Sequence, residues 1–404
     1  MKIKTLLLVL LAIGFNTNVF AQRWVNTKHV VPDSIFDSLA PTPPMGWNSW
    51  NYFKRDINED LVKQIADAFV TSGMKDAGYE YIVLDDYWQI DRDEDGNIIA
   101  DPEKFPHGMK ALADYIHSKG LKFGLYSCAG TNTCAGCPGS RGYEFQDALQ
   151  YARWDVDFLK YDWCNNDGQS APASYRRMRD ALKNSGRPIV FNLCEWGSNK
   201  PWTWAKGVGH MWRVSGDIID IFDGDIDWGG LSVLSIIDIM APLSSYAGPG
   251  HWNDADMLEV GNGGMTDTEY TTHFSMWCMF AAPLFAGNDV RNMTPAVKNI
   301  LTNKEAIAVN QDALGKQAVR YMDYGDYEIW TKPLENGDVA VCFLNRARTP
   351  WDLNYDWKQM NKIDQSKTYN IRDLWQHKNI GSTSQNVNMQ IPAHGVLMVR
   401  LSAK

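Results

Sequence analysis

Between Pro43 and about Leu314 the chain repeats one alternation, a short apolar run followed by an amphipathic stretch. The runs are "MGWNSW", "YEYIVLDD", "KFGLYS", "FLKYD", "IVFNLCEW", "MWRVSGD", "GHWNDADM" and "PLFAG". Helix-like segments separate most of them. In "EDLVKQIADAFVTSGMKDAG", Leu61, Val62, Ile65 and Phe69 recur at helical spacing, with Gly73 or Gly78 as the stop. In "GMKALADYIHSKG", Met109, Leu112 and Ile116 share a face and Gly120 ends it. Strands that return through helices pair in parallel, and eight is the number that closes such a sheet on itself. The pattern predicts an α/β fold, a (β/α)8 TIM barrel within residues 22–314.

After "NQDALGKQ" the period drops to two. "RYMDYGDYEIWTKPLENGDVAVCFLNRA" alternates around a hairpin turn at Asn336-Gly337, and "YNIRDLW" and "VNMQIPAHGVLMVRLSA" follow with no long helix. Residues 315–404 therefore read as a C-terminal antiparallel β-sandwich domain. No low-complexity linker precedes it, so the two parts are expected to pack rigidly.

Ahead of the barrel, residues 1–21 read as a signal peptide. Lys2 and Lys4 form its charged start, "LLLVLLAIGF" its apolar core, and Val19 and Ala21 the small residues before the cut. That apolar run is short for a bilayer and no later run reaches its length, so no membrane span is expected. The protein reads as exported, periplasmic or secreted, beginning near Gln22. Such compartments permit disulfides. The seven cysteines are 128, 134, 137, 164, 194, 278 and 342, an odd number, so at least one lacks an intramolecular partner. "CAGTNTCAGC" has irregular spacing and no neighbouring His, which disfavours zinc.

A net charge of −9 and the lack of any long basic run exclude nucleic acid as a partner. The 17 Trp, several in polar company, point elsewhere. Flat aromatic faces beside carboxylates suit ligands with both C–H and O–H surface, of which sugars are the common case.

The polar residues cluster where the apolar runs stop: Asn48, Asp85, Asp86, Tyr126, Asp162, Glu195, Asp217, Asp254 and Asp256. One acid at a strand end is a turn former or a helix cap. Acids at most of eight ends need another account, because in a barrel these ends converge on one mouth. Lys160 and Arg213 are the cations available to balance them. A carboxylate-rich mouth serves either a divalent metal or a pair of carboxylates flanking a glycosidic bond. Barrel metal sites usually draw on His, and only His251 and His210 fall near strand ends, so no metal and no cofactor is assigned. "DRDEDGNIIADPE" matches half of a calcium loop, but its twelfth position is Pro102, and an acidic surface turn is the better reading.

With these features in view, the chain resembles glycoside hydrolase family 27, the melibiase-type α-galactosidases. The segments that carry the resemblance are "PPMGWNSWNYF", "YIVLDDYWQ", "TCAGCPGSRGYE", "DFLKYDWCNN", "CEW", "WRVSGD" and "WNDADML", in family order. The resemblance implies a retaining exo-α-galactosidase acting on terminal α-D-galactosyl residues of oligo- or polysaccharides. It implies Asp162 as nucleophile and Asp217 as acid/base, with Lys160 keeping Asp162 ionised and the two carboxyls about 5–5.5 Å apart. It further implies that Trp47 stacks on the sugar and that Asp85 and Asp86 accept from O4 and O6. Lys160 would donate to O3 and O4, Glu195 and Arg213 read O2 and O3, and Tyr126, Trp196 and Asp256 line the pocket. Cys134 and Cys164 match the family's disulfide beside the site; Tyr87 replaces a frequent family Cys, and Cys128 and Cys137 are extra thiols that could pair with each other.

Three rivals share the same scaffold. A β-L-arabinopyranosidase is disfavoured by the Asp85-Asp86 pair placed for O6, and an α-N-acetylgalactosaminidase by Glu195 and Trp196, which leave no room for an acetamide. A non-catalytic sugar-binding barrel is disfavoured by the presence of both Asp162 and Asp217.

Overall fold

A computed structural model describes residues 30–404; the signal-peptide reading falls on residues 1–21, outside the described part. The eight apolar runs become eight strands: β1 (Met45–Asn48), β2 (Tyr81–Val83), β3 (Lys122–Cys128), β4 (Phe158–Asp162), β5 (Val190–Cys194), β6 (Met211–Arg213), β7 (Trp252–Asp254) and β8 (Leu284–Ala286). They pair in parallel in the order β8-β1-β2-β3-β4-β5-β6-β7. The remaining seam is closed by one residue beyond β7. Leu258 bridges to Ala286, donating its N–H to the Phe285 carbonyl at 2.7 Å and accepting from the Gly287 N–H at 3.0 Å.

Helices Glu59–Ser72, Gly108–Ser118, Glu144–Arg153, Ala171–Asn184, Val233–Met240 and Asp267–Phe280 surround the sheet. The first shows why the sequence breaks where it does. Asn58 caps it by accepting from the Leu61 N–H at 2.9 Å, Glu59 and Asp60 lie in its first turn, and Gly73 leaves it at φ +87°. Between β5 and β6 the connection holds only a 3-10 turn, Pro201–Thr203.

Strand parity decides where the chemistry goes, because successive side chains point to opposite faces of a strand. Tyr81, Val83, Phe158, Val190, Met211, Trp252 and Phe285 meet inside the barrel as one apolar cluster. Ile82, Leu125, Leu159, Tyr161, Leu193 and Trp212 point the other way, into the cluster shared with the helices. Tyr81, Phe158 and Phe285 stack their rings 5.2–6.4 Å apart as a floor. Each such buried ring stabilises the fold by about 1.5–3 kcal/mol. Gly46 is required beneath them, since a Cβ there would lie 2.6–2.8 Å from Tyr81 and Phe285 atoms. One step further along the same inward columns stand polar residues, among them Asn48, Asp85, Tyr126, Lys160, Arg213 and Asp254.

Beyond the barrel, six strands form an antiparallel sheet faced by a two-stranded pair, Trp351–Tyr355 with Val387–Ile391. Phe343, Tyr355 and Trp357 pack edge to face at 5.3–5.9 Å in the core of this sandwich. The Asn336-Gly337 hairpin turn forms as expected, with Gly337 at φ +83°. The sandwich sits on helix Asp267–Phe280, which buries ten of its 14 residues and keeps polar residues toward solvent only in its first turns. Trp330 lies edge-on to Phe280 at 5.3 Å, Trp375 donates its indole N–H to Ser275 at 2.9 Å, and Thr272 donates to the His394 carbonyl at 2.6 Å. The "DRDEDGNII" segment is the tip of a small hairpin, Gln89–Arg92 with Ile98–Ala100, where Asp93 accepts the Asp95 and Asn97 N–H groups. Among the described residues no helix is long and apolar enough to cross a membrane.

Candidate active site

The C-terminal ends of the strands open into a cavity of about 720 Å³. Asp85, Asp86, Tyr126, Cys134, Lys160, Asp162, Cys164, Trp196, Arg213, Asp217 and Asp256 all line it. Asn48 and Asp254 stand just beneath, holding others in place.

At one side lies a fixed hydrogen-bond array. Asp85 accepts from Lys160 Nζ at 2.7 Å and from the Asn48 amide at 2.8 Å, while its other oxygen takes the Asp86 N–H at 2.9 Å. Asp86 accepts from the N–H groups of Tyr87 and Ala135 at 2.9 and 3.0 Å, and burial pushes its carboxyl up. Burial alone would lower the Lys160 ammonium, but Asp85 above all, with Asp162 and Asp256, keeps it protonated. Both carboxylates keep free lone pairs toward the cavity, so this corner can accept from several hydroxyls at once.

Asp162 ends β4 and is 6% exposed. One oxygen accepts from the Tyr126 hydroxyl at 3.0 Å and the other from the Trp163 N–H at 2.8 Å. Burial pushes its carboxyl up to about 7 against the pull of Lys160, with Asp217 adding repulsion. Lys160 lowers the Asp162 carboxyl as expected, but its ammonium is bonded to Asp85 and burial outweighs the pull.

Asp217 lies across the cavity on the loop after β6, its side chain 53% exposed. Arg213 explains its position. The buried guanidinium reaches Asp217 at 3.0 Å and Asp256 at 2.8 Å, and donates to the Gly216 carbonyl at 2.7 Å. The cavity walls push the Asp217 carboxyl up, but Arg213, then Lys160, outweigh them and hold it below the usual carboxylate range. Asp256, at φ +73°, accepts from the Ile218 and Met257 N–H groups at 2.8 Å each, and burial raises it to about 6 despite Arg213.

One disulfide forms among the described residues, the one that the resemblance implies. Cys134 and Cys164 are bonded, with Cα atoms 5.1 Å apart, and both sulfurs and an Asp162 oxygen lie within 4.8 Å of one another. The two sulfurs are spent on each other and offer no thiolate to a metal. Cys128 and Cys137 do not pair; both are free thiols, and Cys128 instead donates to the Cys164 carbonyl at 3.0 Å.

Two expected residues are not brought to the cavity. Trp47 is fully buried, with its indole N–H on the Asn288 carbonyl at 2.9 Å and its ring edge-on to Phe53. Glu195 is also fully buried, accepting the N–H and side-chain amide of Asn199 at 2.6 and 2.7 Å. One reason covers both. Asn48 and Cys194 occupy the inward columns of β1 and β5, so their sequence neighbours Trp47 and Glu195 face away. From this segment the aromatic at the mouth is Trp50, not Trp47; the chain reaches it by turning into the helical turn Trp50–Phe53, and it lies parallel to Tyr87 at 6.2 Å.

Also unforeseen are Glu259, Asn262 and Trp228, which line the cavity together with Asn51. Glu259 hydrogen-bonds both amides, and burial pushes its carboxyl up to about 8. It sits one residue past the Leu258 bridge, and only knowledge of that barrel closure would have placed it here.

The family profile described as alpha galactosidase A matches residues 42–312, and one described as the alpha galactosidase C-terminal beta sandwich domain matches 324–401. Alpha-galactosidase A of Cellvibrio japonicus is 52% identical over 381 residues, covering 91% of this chain and 94% of that one. The alpha-galactosidase of Cyamopsis tetragonoloba is 47% identical over 91% of this chain and 88% of its own length. The crystal structure of alpha-galactosidase I from Mortierella vinacea superposes with a TM-score of 0.87 at 41% identity, covering 91% of this chain and 99% of that one.

Proposed function

The chain belongs to the alpha galactosidase A family of glycoside hydrolases, and from that premise we propose a retaining exo-α-galactosidase working by double displacement. The observation that carries the proposal is that Asp162 and Asp217 line one sugar-sized cavity whose blind side is the Asp85–Asp86–Lys160 array.

In this reading the galactosyl ring enters with its O4 and O6 hydroxyls donating to Asp85 and Asp86, while Lys160 donates to O3 and O4. Trp50 covers the apolar ring face. Asp162 attacks C1, the bond from C1 to the leaving oxygen breaks, and Asp217 gives that oxygen its proton. Asp217, now a base, takes a proton from water; the water oxygen attacks C1 and the ester to Asp162 breaks. The two inversions leave the product as the α anomer.

The proton count supports this order. Burial gives the pair one proton below about 7, which is the number the first step consumes. Burial favours that proton on Asp162, while Arg213 stabilises the Asp217 carboxylate. Substrate entry therefore has only to relocate a proton within the pair. The leaving group, once its oxygen stands beside Asp217, supplies the acceptor that draws the proton there.

Proton NMR during hydrolysis of 4-nitrophenyl α-galactoside tests the mechanism: α-galactose should form first, and Asp162→Ala should abolish turnover. Initial release of β-galactose would overturn retention. Turnover of the arabinopyranoside in preference to the galactoside would overturn the assignment of Asp86 to O6.

A further inference from the structure

Trp228 has the largest exposure of any big apolar side chain among the described residues that stand out in this way, 66%, yet it lines the same cavity as Asp162 and Asp217. Its loop is built to hold it there. Leu231 donates to the Asp217 carbonyl at 2.8 Å and accepts from the Ile219 N–H at 3.0 Å, so the returning chain is laddered to the segment that carries Asp217. Gly229 donates to Ile226 at 2.9 Å and Ile226 to Gly230 at 3.1 Å, closing a tight turn around the Trp. Asp225 fastens that turn from below, accepting from Ser232 N–H at 3.0 Å and Ser235 Oγ at 2.8 Å. The indole rests over the bare backbone of Gly230, where a Cβ would come within 2.9 Å of the ring.

Exposure also grades outward through the cavity. Asp85 and Asp162 are buried, the Asp217 side chain is half exposed, and Trp228 is the most open. A proton donor must stand beside the leaving oxygen, so whatever is attached to that oxygen lies outward of Asp217. Trp228 stands on the loop laddered to Asp217 through Leu231, so it lies on that side of the cavity. A flat, solvent-facing ring in this place matches the C–H face of a second pyranose.

Resting on the galactosidase reading, we infer that Trp228 is a platform for the leaving-group sugar. Trp228 is thus a specificity-determining residue, acting on the part of the substrate that departs.

The test compares two substrates with the same galactosyl group, galactosyl-(1→6)-glucose and α-galactosyl fluoride, whose leaving group is a single atom. In Trp228→Ala the ratio of kcat/KM on the disaccharide to that on the fluoride should fall about five- to tenfold, mainly through KM. Trp228→Phe, which keeps a flat ring, should recover most of the ratio. Gly230→Ala, which displaces the indole without removing it, should lower it. An unchanged ratio in Trp228→Ala, or equal losses on both substrates, overturns the platform while leaving the galactosidase reading intact. Wild-type protein inactive on both substrates overturns that reading and this inference with it.

Discussion

Replacing Asp162 by Asn should stop turnover and yet stabilise the protein, increasingly so as the pH rises. The carboxyl is buried and titrates near 7 in the folded chain, against an ordinary value of 3.8 that it regains on unfolding. Between those two values the native state holds a proton that the unfolded state has released. Stability therefore falls as pH rises through this window, with no penalty below about 4 and the full penalty above about 7. A net shift of about three units, in which the attraction to Lys160 is already counted, corresponds to on the order of 4 kcal/mol. The amide fits the same partners: its oxygen accepts the Trp163 N–H and its nitrogen donates to the Tyr126 oxygen. Thermal melts of both proteins should give equal Tm at pH 4 and a Tm higher by roughly 3–5 °C for Asp162→Asn at pH 8. A difference that does not change with pH, or a variant less stable at pH 8, would refute burial as the force that sets this group's proton affinity.

Three further outcomes follow from the site. Asp217→Ala should lose about 10²–10⁴-fold on substrates with poor leaving groups and much less on α-galactosyl fluoride; added azide should restore turnover as α-galactosyl azide, and formation of the β product would contradict the assigned roles. Trp47→Ala should destabilise the barrel by about 3–5 kcal/mol as a core truncation, whereas Trp50→Ala should leave the melting curve in place and raise KM; urea melts and kinetics on the pair separate the two tryptophans. Opening the Cys134–Cys164 bond, which spans 30 residues, as the double Ser variant should cost about 3–4 kcal/mol. It should also lower kcat, because both sulfurs abut Asp162, and unaltered kinetics would show that the bond is remote from the chemistry.

The architecture was legible because its signal is periodic. Eight apolar runs alternating with amphipathic stretches leave few other folds, and Asp85, Asp162 and Asp217 announced themselves by ending such runs. What the runs do not announce is which face of a strand a residue takes. Trp47 and Glu195 were assigned to the sugar by the family resemblance, although each precedes or follows an inward neighbour by a single position. Asn48 pointing to Asp85 forces Trp47 outward, and Cys194 turning in forces Glu195 out, so parity counted from the polar ends would have separated them. Trp228 and Glu259 are a different case. They reach the rim through the loop after β6 and the Leu258 closure, and no spacing along the chain encodes either. The upward push on the Asp162 carboxyl was missed for an energetic reason: proximity of Lys160 is visible in the sequence, but its prior engagement with Asp85 and the depth of the cavity are not.

Helix Asp267–Phe280 has barrel on one side and sandwich on the other, with most of its length dry. It belongs to both halves, so neither can be handled as a module. A fragment ending near residue 314 would present Phe274, Met276 and Phe280 to water as an adhesive stripe, and would come out of cells as aggregate rather than as a smaller catalyst. Grafting this catalytic mouth onto other tail regions therefore requires matching that one stripe first.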